Sequence, residues 1–201
     1  GFTGIPGYGT GVVVDERDNV LGAGFYNPHS KIAVRILEHR RTTERDFEPS
    51  RLLDLARQRL VAAVERRQAL GLPAEGTNAY RVCHGEGDLL GGLAVDRMGS
   101  VAVVHLLSRA MYEERTALGR LVGDVLDVPS VFGVVSEDAS KAEAIPTGVE
   151  PLVGAGAPSG EVCEGGVRYV IDPAQGFKVP FHTEQRVNRQ RFAALVGDEP
   201  L

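Results

Sequence analysis

The sequence of 201 residues contains no tryptophan, only two cysteines and no long hydrophobic run. The lack of tryptophan excludes a binding cage or stacking platform built on indole rings. Cys83 and Cys163 have no second cysteine or pair of histidines at ligand spacing, which excludes a zinc ribbon or zinc finger. So few cysteines suit a reducing compartment, and we expect a cytoplasmic protein. No apolar run reaches the roughly 18 residues that cross a bilayer, so we expect no membrane-spanning segment.

The sequence also lacks an excess of positive charge, since its net charge is −5. This value argues against a protein that binds nucleic acid through overall charge. The charge is uneven, however: residues 1–68 carry 11 basic and 9 acidic side chains, and the remainder carries 11 and 18. Residues 31–67 alone hold ten Lys and Arg against six Asp and Glu. Such a segment is either a solvated helix face or a surface that binds a phosphate backbone.

Apolar periodicity predicts an α+β protein with a small β module, a linking helix and a larger α+β domain. Residues 136–160 are predicted to be rich in loops. The predicted strands are 11–14, 20–26, 32–37, 79–83, 92–96, 101–107 and 131–135, with a hairpin at 162–170. The predicted helices are 50–70 and 108–127. The first helix has a predicted buried stripe of Leu53, Ala56, Leu60, Ala63 and Val64.

Several short patterns resemble catalytic or nucleotide-binding motifs but lack the required context. The glycine clusters at 7–11 and 154–156 are followed by strands, whereas a dinucleotide loop opens a helix, so both are predicted to be turns. Cys83 and His84 are adjacent strand residues that face opposite ways, which favours a packed thiol over a nucleophile. The carboxylates near glycine turns could be acids or metal ligands, but turn and cap roles are favoured. These carboxylates are Glu86, Asp88 and Asp96.

Residues 176–191 combine three side-chain types that suit an anionic, planar ligand. Cations recognise phosphate, amides read the edges of bases or cofactors, and aromatic rings stack on them. The amides are Gln185 and Asn188, and the aromatic residues are Phe177 and Phe181. The cations are Lys178, Arg186, Arg189 and Arg191.

Three stretches, residues 22–35, 80–97 and 176–191, carry a resemblance to a known family. In order and spacing they resemble the SAM-dependent ribosomal RNA large-subunit methyltransferases that make 5-methylcytosine. The matching positions of the third motif are Lys178, Phe181, Gln185, Arg186, Asn188 and Arg189. The positions that depart from that motif include Phe177, Val179, Pro180 and His182.

The family is built from a PUA RNA-binding module, a central α+β domain and a Rossmann-like methyltransferase domain. The resemblance implies four parts in this chain and leads us to expect that the Rossmann-like domain itself is absent. The parts are a partial PUA-like module at 1–46, a linking helix at 47–75, the central domain at 76–172 and the entry segment of the methyltransferase domain at 173–201.

The resemblance also implies S-adenosyl-L-methionine as the cofactor of the complete protein and ribosomal RNA as its partner. In the implied mechanism a cysteine thiolate adds to cytosine C6, C5 takes the methyl group, and a base removes the C5 proton. The catalytic cysteines belong to a motif that this chain does not contain, so we predict no catalytic residue here. The predicted cofactor contacts are Lys178, Gln185 and Arg186. The predicted RNA contacts are Lys31, Arg35, Arg81 and Arg189, with a surface ion pair as the alternative for each.

Two hypotheses for the function follow, and they belong to different classes. In the first, the chain is the RNA-recognising N-terminal portion of a SAM-dependent cytosine-C5 methyltransferase and is inactive by itself. In the second, it is a stand-alone, non-catalytic RNA-binding or assembly protein related to that family. A small-molecule enzyme that uses Cys83 and His84 is a third and weaker alternative. No metal partner is expected, and a homodimer is left open.

Overall fold

The computed structural model describes residues 7–42, 48–154, 160–171 and 181–196. The first three strands form an antiparallel sheet in the order β1-β2-β3. They are β1 (Gly9–Val14), β2 (Val20–Tyr26) and β3 (Val34–Thr42). The strands β2 and β3 approach so closely that a Cβ at Gly24 would collide with the carbonyl oxygen of Arg35. This close approach explains a glycine inside a strand, where its loss of entropy is otherwise unfavourable.

Helix α1 (Leu52–Ala69) follows and carries the predicted buried stripe. Its residues Ala56, Leu60 and Ala63 are at most 1% exposed, and Leu53 and Val64 pack against the same core while partly exposed. Spacings of three and four residues put these side chains on one face of the helix. The predicted stripe is therefore confirmed.

A five-stranded sheet forms the centre of the fold, in the order β4-β5-β6-β7-β8. Its strands are β4 (Ala79–His84), β5 (Leu93–Met98), β6 (Val101–Leu106), β7 (Ser130–Val135) and β8 (Gly148–Val153). Only the β6–β7 pair is parallel. A parallel pair requires a crossover connection, and helices α2 (Arg109–Glu113) and α3 (Arg115–Leu126) provide it. The single helix predicted at 108–127 is thus two helices that meet at Glu114.

Apolar residues cover both faces of this sheet, which is why its strands are hydrophobic along most of their length. On one face α1 and α3 pack over a large core that includes Leu60, Leu118 and Val104. On the other face a smaller cluster joins Met98 and Val103 to the hairpin and to Phe181. The hairpin consists of β9 (Gly160–Glu164) and β10 (Val167–Ile171), as predicted.

Two parts of the fold differ from the expectation. The segment predicted to be rich in loops contains helix α4 (Glu137–Glu143) and edge strand β8. Helix α4 begins at a side-chain cap, because the Ser136 hydroxyl accepts a hydrogen bond from the amide of Ala139. A further helix, α5 (Arg186–Val196), lies where no helix was predicted.

The mixed α and β content agrees with the predicted α+β class, while the four domain boundaries stay predictions. Within the described ranges, no helix is both long and apolar enough to cross a membrane.

Candidate nucleic-acid interface

A cleft of about 530 Å³ lies where the end of α1, strand β4 and the start of α5 meet. We call it the arginine cleft, because Arg67, Arg81 and Arg186 all line it. The remaining lining residues are Leu70, Leu72, Tyr80, His84, Thr183 and Glu184. The three guanidinium groups come from three separate elements, and each is held by a buried carboxylate behind the cleft.

The first of these carboxylates is Asp88, which is 3% exposed. Arg66 Nη2 and Arg67 Nη1 donate to its Oδ1 at 2.7 and 2.6 Å, and the amide of His84 donates to Oδ2 at 2.7 Å. Burial opposes ionisation of this group, but the hydrogen bonds from Arg67, Arg66 and the His84 amide outweigh it and lower the pKa of Asp88 to about 2. Asp88 is therefore an anion that fixes the last turn of α1 to the end of β4.

The second carboxylate is Asp96, on β5, which is 1% exposed. Arg81 donates to both of its oxygens, from Nε and Nη2, at 2.8 Å each, and His105 Nε2 lies 2.9 Å from Oδ2. Burial raises the pKa of Asp96. The hydrogen bonds from Arg81 and His105 together outweigh this effect, so the pKa of Asp96 is lowered. The planar guanidinium of Arg81 is thereby held in one orientation.

The third carboxylate is Glu164, at the end of β9, which is 4% exposed. Arg186 Nε donates to it at 3.2 Å, while Arg189 donates from Nε at 2.7 Å and from Nη2 at 3.0 Å. The Arg189 guanidinium also lies 4.5 Å from the centre of the Phe181 ring, a cation–π distance. The contacts to Glu164 attach α5 to the hairpin, and a hydrogen bond from Arg186 Nη2 to the Ala79 carbonyl attaches it to β4.

The arginine cleft, the three buried carboxylates and the arginines that contact them together carry a net positive charge, although the chain as a whole is acidic. Five arginines contact the three buried carboxylates, and the only acidic residue among the described lining residues is Glu184, 60% exposed and paired with His182. Buried anions that orient arginines while cations remain in excess make a surface suited to an anionic ligand.

We expect acid to weaken the fold measurably through Asp88. The pKa of this group is depressed, so its contribution to stability is complete above its ordinary value of 3.8 and is lost as the pH falls through about 2. Between pH 5 and pH 2 the free energy of unfolding should fall by about 2 kcal/mol more in the wild type than in Asp88→Asn. Urea unfolding at the two pH values measures this difference, and equal losses in both proteins would contradict it.

The Cys83–His84 pair does not form a nucleophilic site. Cys83 is fully buried, and burial raises the pKa of its thiol to about 12, so no thiolate forms at neutral pH. This confirms the predicted packed thiol. Asp88 and Asp96 were predicted to have turn and cap roles. In the structure both are instead the centres of buried ion-pair networks. Among the described residues, no cluster of three or more His, Cys, Asp and Glu side chains could hold a metal ion.

A second polar site joins the first three strands to the rest of the protein. Its centre is Glu143, the last residue of α4, which is 2% exposed. This carboxylate accepts hydrogen bonds from Asn27 Nδ2 at 2.9 Å, Ser30 Oγ at 2.6 Å and Arg35 Nη2 at 3.2 Å. Burial opposes ionisation, but these bonds and one from the Arg109 amide outweigh it, so the pKa of Glu143 is lowered. We call this the Glu143 junction, and it joins the small sheet to helix α4.

The structure brings two of the predicted site residues together. Arg81, predicted to contact RNA, and Arg186, predicted to contact the cofactor, line the same cleft. Arg189 lies behind it, with its guanidinium on Glu164. The ligands of all three stay predictions.

The other predicted residues lie elsewhere. Lys31 is exposed in the turn between β2 and β3. Arg35 belongs to the Glu143 junction, where its side chain is only 16% exposed. Gln185 is exposed, and its side-chain oxygen accepts a hydrogen bond from Asn188. Lys178 lies outside the described residues.

Sequence reasoning predicted two of the nine cleft residues and missed the other seven, which include Arg67, Leu70 and His84. The sequence contained a signal for Arg67. It follows Arg66 in the last turn of α1, and adjacent arginines at a packed helix end favour anionic partners. No sequence signal pointed to Leu70, because its role depends on which residues the fold brings near it.

Comparison with known proteins shows which proteins this chain is similar to. The family model of a PUA-like domain matches residues 10–39, which include β2 and parts of β1 and β3. Ribosomal RNA large subunit methyltransferase I of Alteromonas mediterranea is 32% identical over 190 residues, which cover 92% of this chain and 45% of that protein. The resemblance to ribosomal RNA large-subunit methyltransferases is thus confirmed over nearly the whole chain. The chain spans about half the length of the curated relatives that it matches.

Solved structures show the same fold. A candidate SAM-dependent methyltransferase from Streptococcus mutans superposes with a TM-score of 0.73 at 16% identity, covering 91% of this chain and 45% of that one. A second candidate methyltransferase, complexed with SAH, gives the same TM-score and identity and covers 91% of this chain and 44% of that one. S-adenosyl-L-methionine is the cofactor of the family that these methyltransferases represent.

Proposed function

We propose that this chain is the RNA-recognising portion of a SAM-dependent methyltransferase that modifies C5 of a cytosine in ribosomal RNA. The observation that supports this most strongly is the 190-residue similarity to a ribosomal RNA large subunit methyltransferase, which begins in a PUA-like region. The positive arginine cleft supports it independently, because phosphate contacts from fixed guanidinium groups supply affinity for RNA.

In this proposal the small sheet and the cleft share the task of binding RNA. Lys31 would contact phosphate from the exposed turn of the small sheet, and Arg81 and Arg189 would act from the central region. Arg35 would act mainly through the Glu143 junction, which fixes the angle between the two RNA-binding parts. A fixed angle lowers the entropic cost of binding one RNA strand at both places.

The residues of the arginine cleft fit a phosphate group better than they fit S-adenosyl-L-methionine. That cofactor would supply an electrophilic methyl group, and its sulfonium is a cation, which three arginines repel. We therefore derive no step through the cofactor from this cleft. The cofactor contacts of Lys178 and Gln185 stay proposals, and for Arg186, which lines the cleft, a cofactor contact is the alternative to a phosphate contact. The described residues bind and orient RNA, and the buried thiol of Cys83 takes no part in the chemistry.

We expect this chain to bind ribosomal RNA in a salt-sensitive way and to transfer no methyl group. Three phosphate contacts to a single strand predict a loss of affinity of about 20-fold between 50 and 200 mM salt. Fluorescence anisotropy with a labelled ribosomal RNA fragment measures the affinity, and incubation with methyl-labelled S-adenosyl-L-methionine measures the transfer. Absence of RNA binding at low salt would refute the proposed recognition role, and methyl transfer by these 201 residues would refute the absence of catalysis.

A further inference from the structure

Leu70 is one of several exposed large apolar residues, and 78% of it faces water. It lies at the C-terminal cap of α1, on the rim of the arginine cleft, together with Leu72. Arg81 on β4 and Arg186 on α5 also line the cleft. We call Leu70 and Leu72 the apolar side of the cleft and Arg81 and Arg186 its cationic side.

We propose that the arginine cleft holds one nucleotide of a single-stranded RNA segment. Its phosphate binds to Arg81 and Arg186, and its base lies against Leu70 and Leu72. The assignment rests on the RNA-binding function proposed above and adds to it the place, the strand type and the orientation of the nucleotide.

The cationic side has hydrogen-bond donors available for a phosphate. Arg81 uses Nε and Nη2 on Asp96, while its Nη1 lies 3.4 Å from His84 Nδ1, a long and weak contact. Arg186 uses Nε on Glu164 and Nη2 on the carbonyl of Ala79, and within the described ranges its Nη1 has no hydrogen-bond partner. Both groups are already oriented by their carboxylates, so little side-chain entropy is lost when a phosphate binds.

The apolar side suits a base or ribose rather than a second phosphate. Ordinary ligand pockets measure roughly 300–1,000 Å³, and the cleft volume of about 530 Å³ lies within this range. A base placed against Leu70 and Leu72 would remove exposed apolar surface from water, which stabilises the complex. One ligand that carries both a phosphate and a flat, partly apolar ring is a nucleotide.

A single strand fits this arrangement better than a duplex does. In an RNA duplex the bases are stacked and paired inside the helix, and proteins reach mainly the backbone and the shallow minor groove. A base can lie against Leu70 only when it is free to turn out of the stack. The cleft is therefore expected to prefer loops, ends or unpaired strands.

The first test removes one charge inside the cleft and one outside it. Arg186→Gln should weaken binding of a labelled single-stranded oligonucleotide about fivefold to tenfold and lower the salt slope by about 0.7. The matched control is Arg168→Gln on β10, whose side chain is 77% exposed outside the cleft, and it should change the affinity less than twofold. Arg186→Gln should remain folded, because Glu164 keeps Arg189 as a partner. Thermal unfolding of both variants checks this expectation.

The second test concerns the apolar side. Leu70→Glu replaces an exposed residue and puts a negative charge where the base and phosphate would lie, so affinity should fall at least about tenfold. Leu195→Glu makes the same substitution at another exposed leucine, 85% exposed on α5 and outside the cleft lining, and should leave the affinity within about twofold.

Four outcomes would overturn the assignment. If the wild type binds RNA but each variant behaves like its control, the cleft is not the site, although the RNA-binding function stands. If a duplex of the same sequence binds as tightly as the single strand, the strand type is wrong. If SAH competes with the oligonucleotide, the cleft is a cofactor site. If the wild type binds no RNA at all, the assignment and the proposed function both fail.

Discussion

Glu143→Ala is expected to lower the free energy of unfolding by about 3–5 kcal/mol, because breaking a buried ion pair leaves its partner uncompensated. Ser30 and Arg35 would lose this acceptor, and Asn27 Nδ2 would keep only its hydrogen bond to the Glu143 backbone carbonyl. The Arg35 side chain is only 16% exposed, and its second carboxylate partner, Glu86, is 76% exposed and lies 3.5 Å away. Such an exposed pair is too weak to compensate for the loss.

Urea unfolding followed by circular dichroism measures this effect, since the chain has no tryptophan as a fluorescent reporter. The matched control is Glu137→Ala on the same helix, where the side chain is 57% exposed and, among the described residues, forms an ion pair with Lys141 alone. That variant should change the stability by no more than about 0.5 kcal/mol. A loss below about 1 kcal/mol for Glu143→Ala would show that the junction tolerates the missing carboxylate, contrary to its burial.

Asp96→Ala should also lower the free energy of unfolding by about 3–5 kcal/mol. Asp96 is 1% exposed, and its loss removes both hydrogen bonds of the Arg81 guanidinium and the contact to His105. This substitution has a second consequence, because Arg81 would no longer be oriented toward the cleft. Under conditions in which the variant is folded, its affinity for single-stranded RNA at low salt should fall as well.

Asp124→Ala is the control for this variant. Its carboxylate is 70% exposed and lies 3.7 Å from Arg57, so stability should stay within about 0.5 kcal/mol of the wild type. Urea unfolding gives the stability of both variants, and anisotropy with the oligonucleotide gives their affinity. Unchanged stability in Asp96→Ala would mean that Arg81 and His105 find other partners, contrary to the buried network.

Elements with a strong apolar period could be predicted from the sequence, whereas short polar elements could not. Helix α1 shows this, since its stripe of Ala56, Leu60 and Ala63 is visible in the spacing alone. Helix α4 has seven residues and only a short buried face, so its cap at Ser136 was the one local signal. Strand β8 contains Pro151, which argues against a strand in sequence but is tolerated at the edge of a sheet, where β8 lies.

The candidate site was predictable only in its residue types. Arg81 was predicted to contact RNA and Arg186 the cofactor, but nothing in the sequence placed them in one cleft. Their carboxylate partners are 15 and 22 residues away, and the Arg35 partner is 108 residues away. Pairings at such separations follow from how the sheet and helices pack, and local patterns do not contain this information.

The sequence by itself determined the α+β class, the main strands and helices, and the resemblance to ribosomal RNA methyltransferases. It did so because apolar periodicity and ordered motifs are local properties of a chain. Only the tertiary structure decided which cations are used inside the protein and which face a ligand. A buried carboxylate must find a cation from wherever the fold supplies one. Arg35 is therefore used at the Glu143 junction, while Arg81 and Arg186 line the cleft and each keep a donor without a short hydrogen bond to the described residues.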